Sequence, residues 1–546
     1  MSSPSFGARK RATVIAGIGA VSVLGTVLAG CSSNGSDSGA DAGPAQSGGT
    51  LRYGLSQAPT CADPAQAGSN QTVYVTRTVV DSLTDQNPDS GEITPWLAKS
   101  WEISPDAASF TFVLRDDATF SDGTPVTADS VKKTFDSVKN LGPNASLAKS
   151  YLSSYTGTDV VDAHTAKINF SGPNVQFLQA TSTPQLGILA DSTTALASEQ
   201  RCPGAAVIAS GPFVYTDWQQ DKSVKIAKRA GYNWASDAVA HQGDAYLDGV
   251  DFTVVPESGV RAGSVASGQL DAVSDALPQD APQIEGAGGR ILTRPNPGVS
   301  FFFQPNVSRG VLADQSVRQA IVPAINRQEL VDTVLDPSFF PATSPLAHTT
   351  PLYTDESSVV TYDADKSAKL LDAAGWKTGS DGIREKDGQK LTFSVTFSPV
   401  FSGNQAILEL VQQQLKKVGV DLQLNLVSNG EWTEKGVSGD YDSLYYNSTR
   451  ADADILRASF STEGRNLNRR GADPELDKVL TEQLAATDNG QRGELVSTAQ
   501  ELILDRGLSI PTIELSQAIG AGSSVQDLNF EASSRLQFYD AWLSGK

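Results

Sequence analysis

The stretch LTFSVTFSPVFSGNQAILELVQQQLKKVGVDLQLNL, residues 391–426, decides the fold class of this chain. Its first part alternates: Leu391, Phe393, Val395 and Phe397 stand at every second position, the period of a strand with a covered face. The period then changes. Ile407, Leu408, Val411, Leu415 and Val418 fall on one side of a 3.6-residue helix, and Gly419 is placed to end it. Val420, Leu422, Leu424 and Leu426 return to alternation. Strand, helix and strand at this spacing make a βαβ unit, whose crossover should be right-handed.

The same signals extend outward from this unit. Just before it, Asp363 can cap a helix that buries Leu370 and Leu371 and ends at Gly375. Far upstream, Phe110, Phe112 and Leu114 alternate with Thr111 and Val113, and Asp122-Gly123 follows as a turn. Thr127 then caps a helix through Val131 and Phe135, with Asp129 in the first turn where a negative charge suits the helix dipole. Phe301, Phe302 and Phe303 in succession read as a strand buried on both faces. The body is α/β, or mixed α+β, with several sheets; no repeat is visible.

The N-terminus carries an address. Arg9, Lys10 and Arg11 precede an apolar or small stretch from Ala12 to Leu28, and Leu28-Ala29-Gly30-Cys31 closes it. A basic start, an apolar core and a small-residue cleavage site make a secretory signal peptide over residues 1–30. No stop-transfer pattern follows, which disfavours a transmembrane helix. The Leu-Ala-Gly-Cys run resembles a bacterial lipobox, so Cys31 is expected to carry lipid and to become the first residue. One acyl chain anchors only marginally, and a two-chain lipid is needed for stable attachment. Residues 31–48, mainly Ser, Gly, Ala and Asp, lack apolar side chains for a core and read as a flexible tether. The body is therefore expected outside the cytoplasmic membrane, anchored to its outer face, on the periplasmic side in a cell with an outer membrane.

About 515 residues remain after export, enough for ~3 domain-sized units. A formal charge of −20 argues against a nucleic-acid partner, whose phosphates demand a positive surface. Cys61 and Cys202 are the cysteines left once Cys31 is lipidated, and an exported pair favours a disulfide. A metal site is the alternative, but no CxxC or clustered Cys/His spacing supports it, and no metal or cofactor is expected.

An ordered set of segments resembles the family 5 extracellular solute-binding proteins, the peptide-binding receptors of ABC importers. It starts with Gly49-Thr50-Leu51-Arg52-Tyr53-Gly54 and continues with ITPWLAKSWE at 93–102, FTFVLR at 110–115 and FSDGTPVTA at 120–128. Ser210-Gly211-Pro212-Phe213, YLDGV at 246–250 and SGQLD at 267–271 follow. Asp314 with VRQAI at 317–321, Ile325-Asn326-Arg327, Ala374-Gly375-Trp376 and Gly439-Asp440-Tyr441-Asp442 complete the series. The resemblance implies a two-lobed, periplasmic-binding-protein-like cleft receptor of type II-like form with an extra subdomain. Lobe I would comprise 49–88, 206–297 and 516–546, the subdomain 89–205, and lobe II 298–515. It implies capture of peptides, most naturally oligopeptides, by a monomer that delivers them to a membrane permease driven by a cytoplasmic ATPase. Relatives that carry nickel chelates, haem, sugars or opines keep a non-peptide solute open as the alternative, and a sensor role needs the same cleft.

The resemblance also points to a site. In peptide-binding members an Ala-Asp segment supplies a carboxylate to the ligand's α-amino group, and here Asp452 matches it. Arg450 either pairs with Asp452 or receives a ligand carboxylate. Trp432 matches a pocket-lining tryptophan, and Tyr445, Tyr446 and Asn447 complete the candidate set. Ligand would be held between the Ser56–Asp63 loop and the Tyr445–Asp454 segment. The rival class is a secreted hydrolase. The chain has no GxSxG, HExxH or GxxxxGK[ST] motif, and its three histidines, His164, His241 and His348, lie near no candidate nucleophile in sequence. The chain is therefore read as a receptor, not an enzyme.

Overall fold

The computed structural model describes residues 44–142 and 145–545. Cys31 and the leader lie outside the described residues. Two large sheets dominate. The first has seven strands in the order Arg290–Pro295, Ser516–Ala521, Ala272–Val273, Thr50–Leu55, Gly249–Val254, Ser223–Lys228, Phe213–Gln219. Thr50–Leu55 runs parallel to both its neighbours, and the other pairings are antiparallel. The second has six, in the order Phe340–Pro341, Ile510–Glu514, Gly298–Pro305, Ser443–Thr449, Thr392–Phe397, Asp421–Leu426. A four-stranded antiparallel sheet from Ala98–Ile103, Ser109–Leu114, Thr165–Phe170 and Tyr155–Asp162 forms a subdomain that shares the first sheet's core.

The βαβ unit is present: Thr392–Phe397 pairs in parallel with Asp421–Leu426, joined by the helix Asn404–Lys417. Gly419 adopts φ +83° just past that helix. One detail departs from the alternation. Leu422 is buried, but Leu426 is 56% exposed, because Asp421–Leu426 is the edge strand and its far end runs beyond the packing of the helix. Elsewhere the caps follow the sequence: Thr127 accepts from Ser130 N, and Asp363 from Lys366 N.

Gly298–Pro305 is buried at every position. Phe301 and Phe303 enter one layer and Val299 and Phe302 the other, so both faces of the second sheet are covered by apolar layers. Several family residues organise backbone here. The buried Arg327 guanidinium donates to the carbonyls of Val322, Ile325, Val360 and Pro511 without an opposing carboxylate, and burial lowers its pKa to about 9. Arg318 likewise serves the carbonyls of Leu312, Ala313 and Arg506.

Cys61 and Cys202 are joined by a disulfide across 141 residues of sequence. It fastens the Ser56–Asp63 loop to the segment after Ser198, where Ala62 N also donates to Cys202 O. A bridge closing so long a loop is worth roughly 2–4 kcal/mol.

The chain passes from the first sheet to the second at Asn296-Pro297 and returns at Leu515. The two crossings lie side by side. Asn296 N donates to Leu515 O at 2.8 Å, its amide nitrogen donates to Thr449 Oγ1 at 3.0 Å, and its amide oxygen accepts from Gln517 at 2.8 Å. Gly298, the first residue beyond the crossing, has φ +114°, and a Cβ there would stand 2.2 Å from the Ser448 carbonyl oxygen. Only glycine fits. Gly298→Ala is expected to cost roughly 2–4 kcal/mol, read as a lower urea midpoint, whereas Gly172→Ala, with open space around it, should leave the midpoint unchanged.

Candidate functional site

The strand Ser443–Thr449 brings the candidate segment to the seam between the lobes, and its side chains alternate between layers. Tyr445 is buried in one layer, its ring stacked 5.3 Å from Phe301 and its hydroxyl 2.9 Å from Thr512 Oγ1. Tyr446 is buried in the other, 4.9 Å from Phe302 and 5.3 Å from Trp432, and donates to Gln304 Oε1 at 2.6 Å. Burial raises both phenols, that of Tyr446 to about 12. Each ring and hydroxyl has its partners inside the lobe. Trp432, on the helix Asn429–Ser438, is half-buried beneath Arg465, whose guanidinium carbon lies 5.8 Å from the ring centre. Asn447 is half-buried opposite the register slip between Val299 and Phe302.

The charged residues do not pair as the sequence proposes. Arg450 bonds Asp454, not Asp452, with Nη1 3.1 Å from Asp454 Oδ2. Asp454 also accepts from Arg457 at 2.7 and 2.9 Å and from Gln483 at 2.7 Å. Asp452 belongs to Arg492, forty residues on, which grips both its oxygens at 2.9 and 2.6 Å, and Asp454 N adds a bond of 2.8 Å. Burial alone would raise the Asp452 carboxyl, but the Arg492 charge outweighs it and holds the group below the usual carboxylate range. Asp452 is thus buried and paired with Arg492. The ring of ions holds three arginines against two aspartates, so it carries one net positive charge.

That surplus faces across the seam. Arg450 Nη2 donates to Ser150 Oγ at 2.5 Å, and its guanidinium lies 4.3 Å from the ring centre of Tyr151. Ser150 and Tyr151 belong to the subdomain helix Ser146–Tyr151. Other bonds that cross include Gln57 Nε2 to Pro399 O at 2.6 Å and Val175 N to Leu484 O at 3.1 Å.

Three groups on the first lobe escape any sequence motif. Asp275 accepts from Ser56 Oγ at 2.5 Å and from Gln71 Nε2 at 3.1 Å. Arg535 is buried beside Asn70. Ser56, Gln71, Asp275 and Arg535 come from four distant parts of the chain, and only Ser56 lies in a loop the sequence singles out. A separate cavity of about 410 Å³ opens within the first lobe, among Arg77, Trp96, Tyr232, Glu531 and Phe538. Arg77 there is engaged with Trp96 at 4.5 Å and Glu531 at 3.4 Å. Among the described residues no group of three or more His, Cys, Asp or Glu is placed to hold a metal ion, and no helix is long and apolar enough to cross a membrane.

The sequence model of the bacterial extracellular solute-binding proteins, family 5 (middle), matches residues 92–464, so the chain belongs to that family. A probable D,D-dipeptide-binding periplasmic protein, DdpA, of Escherichia coli K12 is 25% identical over 501 residues, covering 88% of this chain and 91% of that protein. The structure of a dipeptide-binding protein from Pseudoalteromonas sp. SM9913 with Met-Leu superposes with a TM-score of 0.78 at 19% identity, over 91% of this chain and all of that one. NikA from Brucella suis with Fe(III)-EDTA superposes with a TM-score of 0.77 at 22% identity, over the same shares. The fold is therefore that of a two-lobed solute-binding protein.

Removing one member of the Asp452–Arg492 pair leaves the other buried and unpaired. Arg492→Met is expected to cost ~3–5 kcal/mol in urea unfolding, and adding Asp452→Leu should restore most of it. The pair's contribution is present above the ordinary carboxylate pKa of about 3.9 and is lost as pH falls through the lower folded value. The gap between native and Arg492→Met protein should narrow accordingly in acid.

Proposed function

We propose that this chain is the lipid-anchored, extracytoplasmic peptide receptor of an ABC importer. The observation that carries the reading is the paired crossing at Asn296-Pro297 and Leu515, which joins two separately cored lobes by only two short segments. Such a joint allows the lobes to close on a ligand as near-rigid bodies. The moving units are taken as 49–88, 206–297 and 516–546 with the subdomain 89–205, against 298–515. The positions at which the chain changes sheet support that division.

Peptide is the preferred ligand on two grounds. The dipeptide-binding relatives favour it, and a seam with both an acidic and a basic group suits a molecule charged at both ends. Main-chain pairing then supplies affinity without reading side chains. Asp452, Arg450, Trp432, Tyr445, Tyr446 and Asn447, on and around Ser443–Thr449, are taken as the residues that would surround it. Closure presents a joined surface to a permease, and a cytoplasmic ATPase drives release. A lipid on Cys31 keeps the monomeric receptor beside that permease.

The reading is tested by purifying the receptor natively and identifying retained molecules by mass spectrometry. Short peptides are expected; a retained metal chelate, sugar or opine alone would replace them as the ligand class. In cells, deletion should abolish uptake of a labelled retained peptide. Cys31→Ala should block incorporation of labelled palmitate and release the body from the membrane fraction.

A further inference from the structure

Two hollows adjoin on the first lobe, and every residue lining them belongs to that lobe or its subdomain. None is among the residues taken to surround peptide. The larger, of about 410 Å³, lies in the size range of small-molecule sites. Its walls include the rings of Trp96, Phe213, Tyr232, Phe530, Phe538 and Tyr539. The smaller measures about 10 Å³, room for one water-sized group. Asp85, Gln86 and Glu531 line both, so the small chamber opens beside the large one.

The small chamber is rich in acceptors and short of donors. Among the described residues no basic side chain lines it. Gln179, on its wall, donates to Gln86 Oε1 at 3.2 Å, which leaves its own Oε1 buried and unpartnered in a residue only 8% exposed. The Gln86 amide is spent in turn on Gly91 O at 3.1 Å. The two carboxylates share one guanidinium from outside the chamber. Arg77 lies against the Trp96 ring and gives hydrogen bonds to Ser82 Oγ at 2.8 Å and Ser182 O at 3.1 Å. It stands 3.4 Å from Glu531 and 3.9 Å from Asp85, whose side chains are 10% and 15% exposed. One positive charge is therefore set against two largely buried negative ones. A water in the chamber would satisfy Gln179 but leave that imbalance. An ammonium group is of similar size and brings both the donors and the charge.

We propose that the two hollows form a second ligand site, for a primary amine carried on an aromatic ring. The ammonium group occupies the small chamber against Asp85, Glu531 and the Gln179 amide oxygen. The ring packs in the large one, where Tyr232 and Phe538 offer faces and edges for stacking. This site does not depend on which solute the seam takes. It adjoins the hinge all the same, because Arg294, two residues before Asn296, lines the large cavity on the strand that leads into the junction.

The test titrates full-length protein in detergent by calorimetry, with micelles alone as the blank. Three probes share one ring and differ in charge: phenethylamine, phenethyl alcohol and phenylacetate. The amine is expected to bind about tenfold more tightly than the alcohol, and phenylacetate more weakly than either. Glu531→Gln should weaken the amine about tenfold and leave the alcohol within about twofold. Gln179→Leu, which leaves the Arg77 ion pair intact, should act in the same direction and carries the test if Glu531→Gln does not fold. Val239→Trp, filling the large cavity from its wall, should remove binding of both amine and alcohol. Crystals soaked in phenethylamine should show its nitrogen in the small chamber. Absence of amine binding at millimolar concentration, equal binding of amine and alcohol, or amine binding unchanged in Val239→Trp overturns the proposal. A water alone in the small chamber of the soaked crystals overturns it as well.

Discussion

Everything in this receptor depends on the junction where Asn296 holds the two chain crossings together. One amide side chain bonds Thr449 of the second sheet and Gln517 of the first, and its backbone bonds Leu515 of the returning crossing. Gln517 in turn accepts from Tyr74, which ties the junction to the helix carrying Asn70 and Gln71. The same few bonds that connect the lobes therefore reach the walls of the seam. Each lobe has its own apolar core, as closure of near-rigid lobes requires.

The seam is built from committed and uncommitted charges, and only the distinction gives it meaning. Asp452, Arg492, Asp454 and Arg457 are saturated with one another and stiffen the second lobe's wall. A buried ion pair of this kind adds little net stability, but breaking it is costly, so its members are poor candidates for ligand exchange. Arg535 sits in the opposite condition, buried against the neutral Asn70 and Ser533. The disulfide at Cys61 fixes the loop that delivers Ser56 to Asp275.

Local periodicity made the βαβ unit at 391–426 readable, together with the caps at Thr127 and Asp363 and the doubly buried Phe301–Phe303 strand. These are short-range consequences of side-chain direction. Leu426 escaped because alternation cannot tell where an edge strand outruns its cover. The charged site escaped for a deeper reason. Arg450 has Asp452 two residues on and Asp454 four residues on, and choosing between them requires Arg492, forty residues beyond Asp452. Gln71 and Asp275 meet only through the pairing of Thr50–Leu55 with Ala272–Val273, and no spacing announces them.

The central claim is that ligand binds between lobes that close about the Asn296 junction. Spin labels at Val260 on the first lobe and Val437 on the second, both exposed, report the separation directly by double electron–electron resonance. Addition of a retained peptide should replace a broad distance distribution with a shorter, narrow one. A distribution unchanged at saturating peptide, with binding verified on the same sample, would contradict the account.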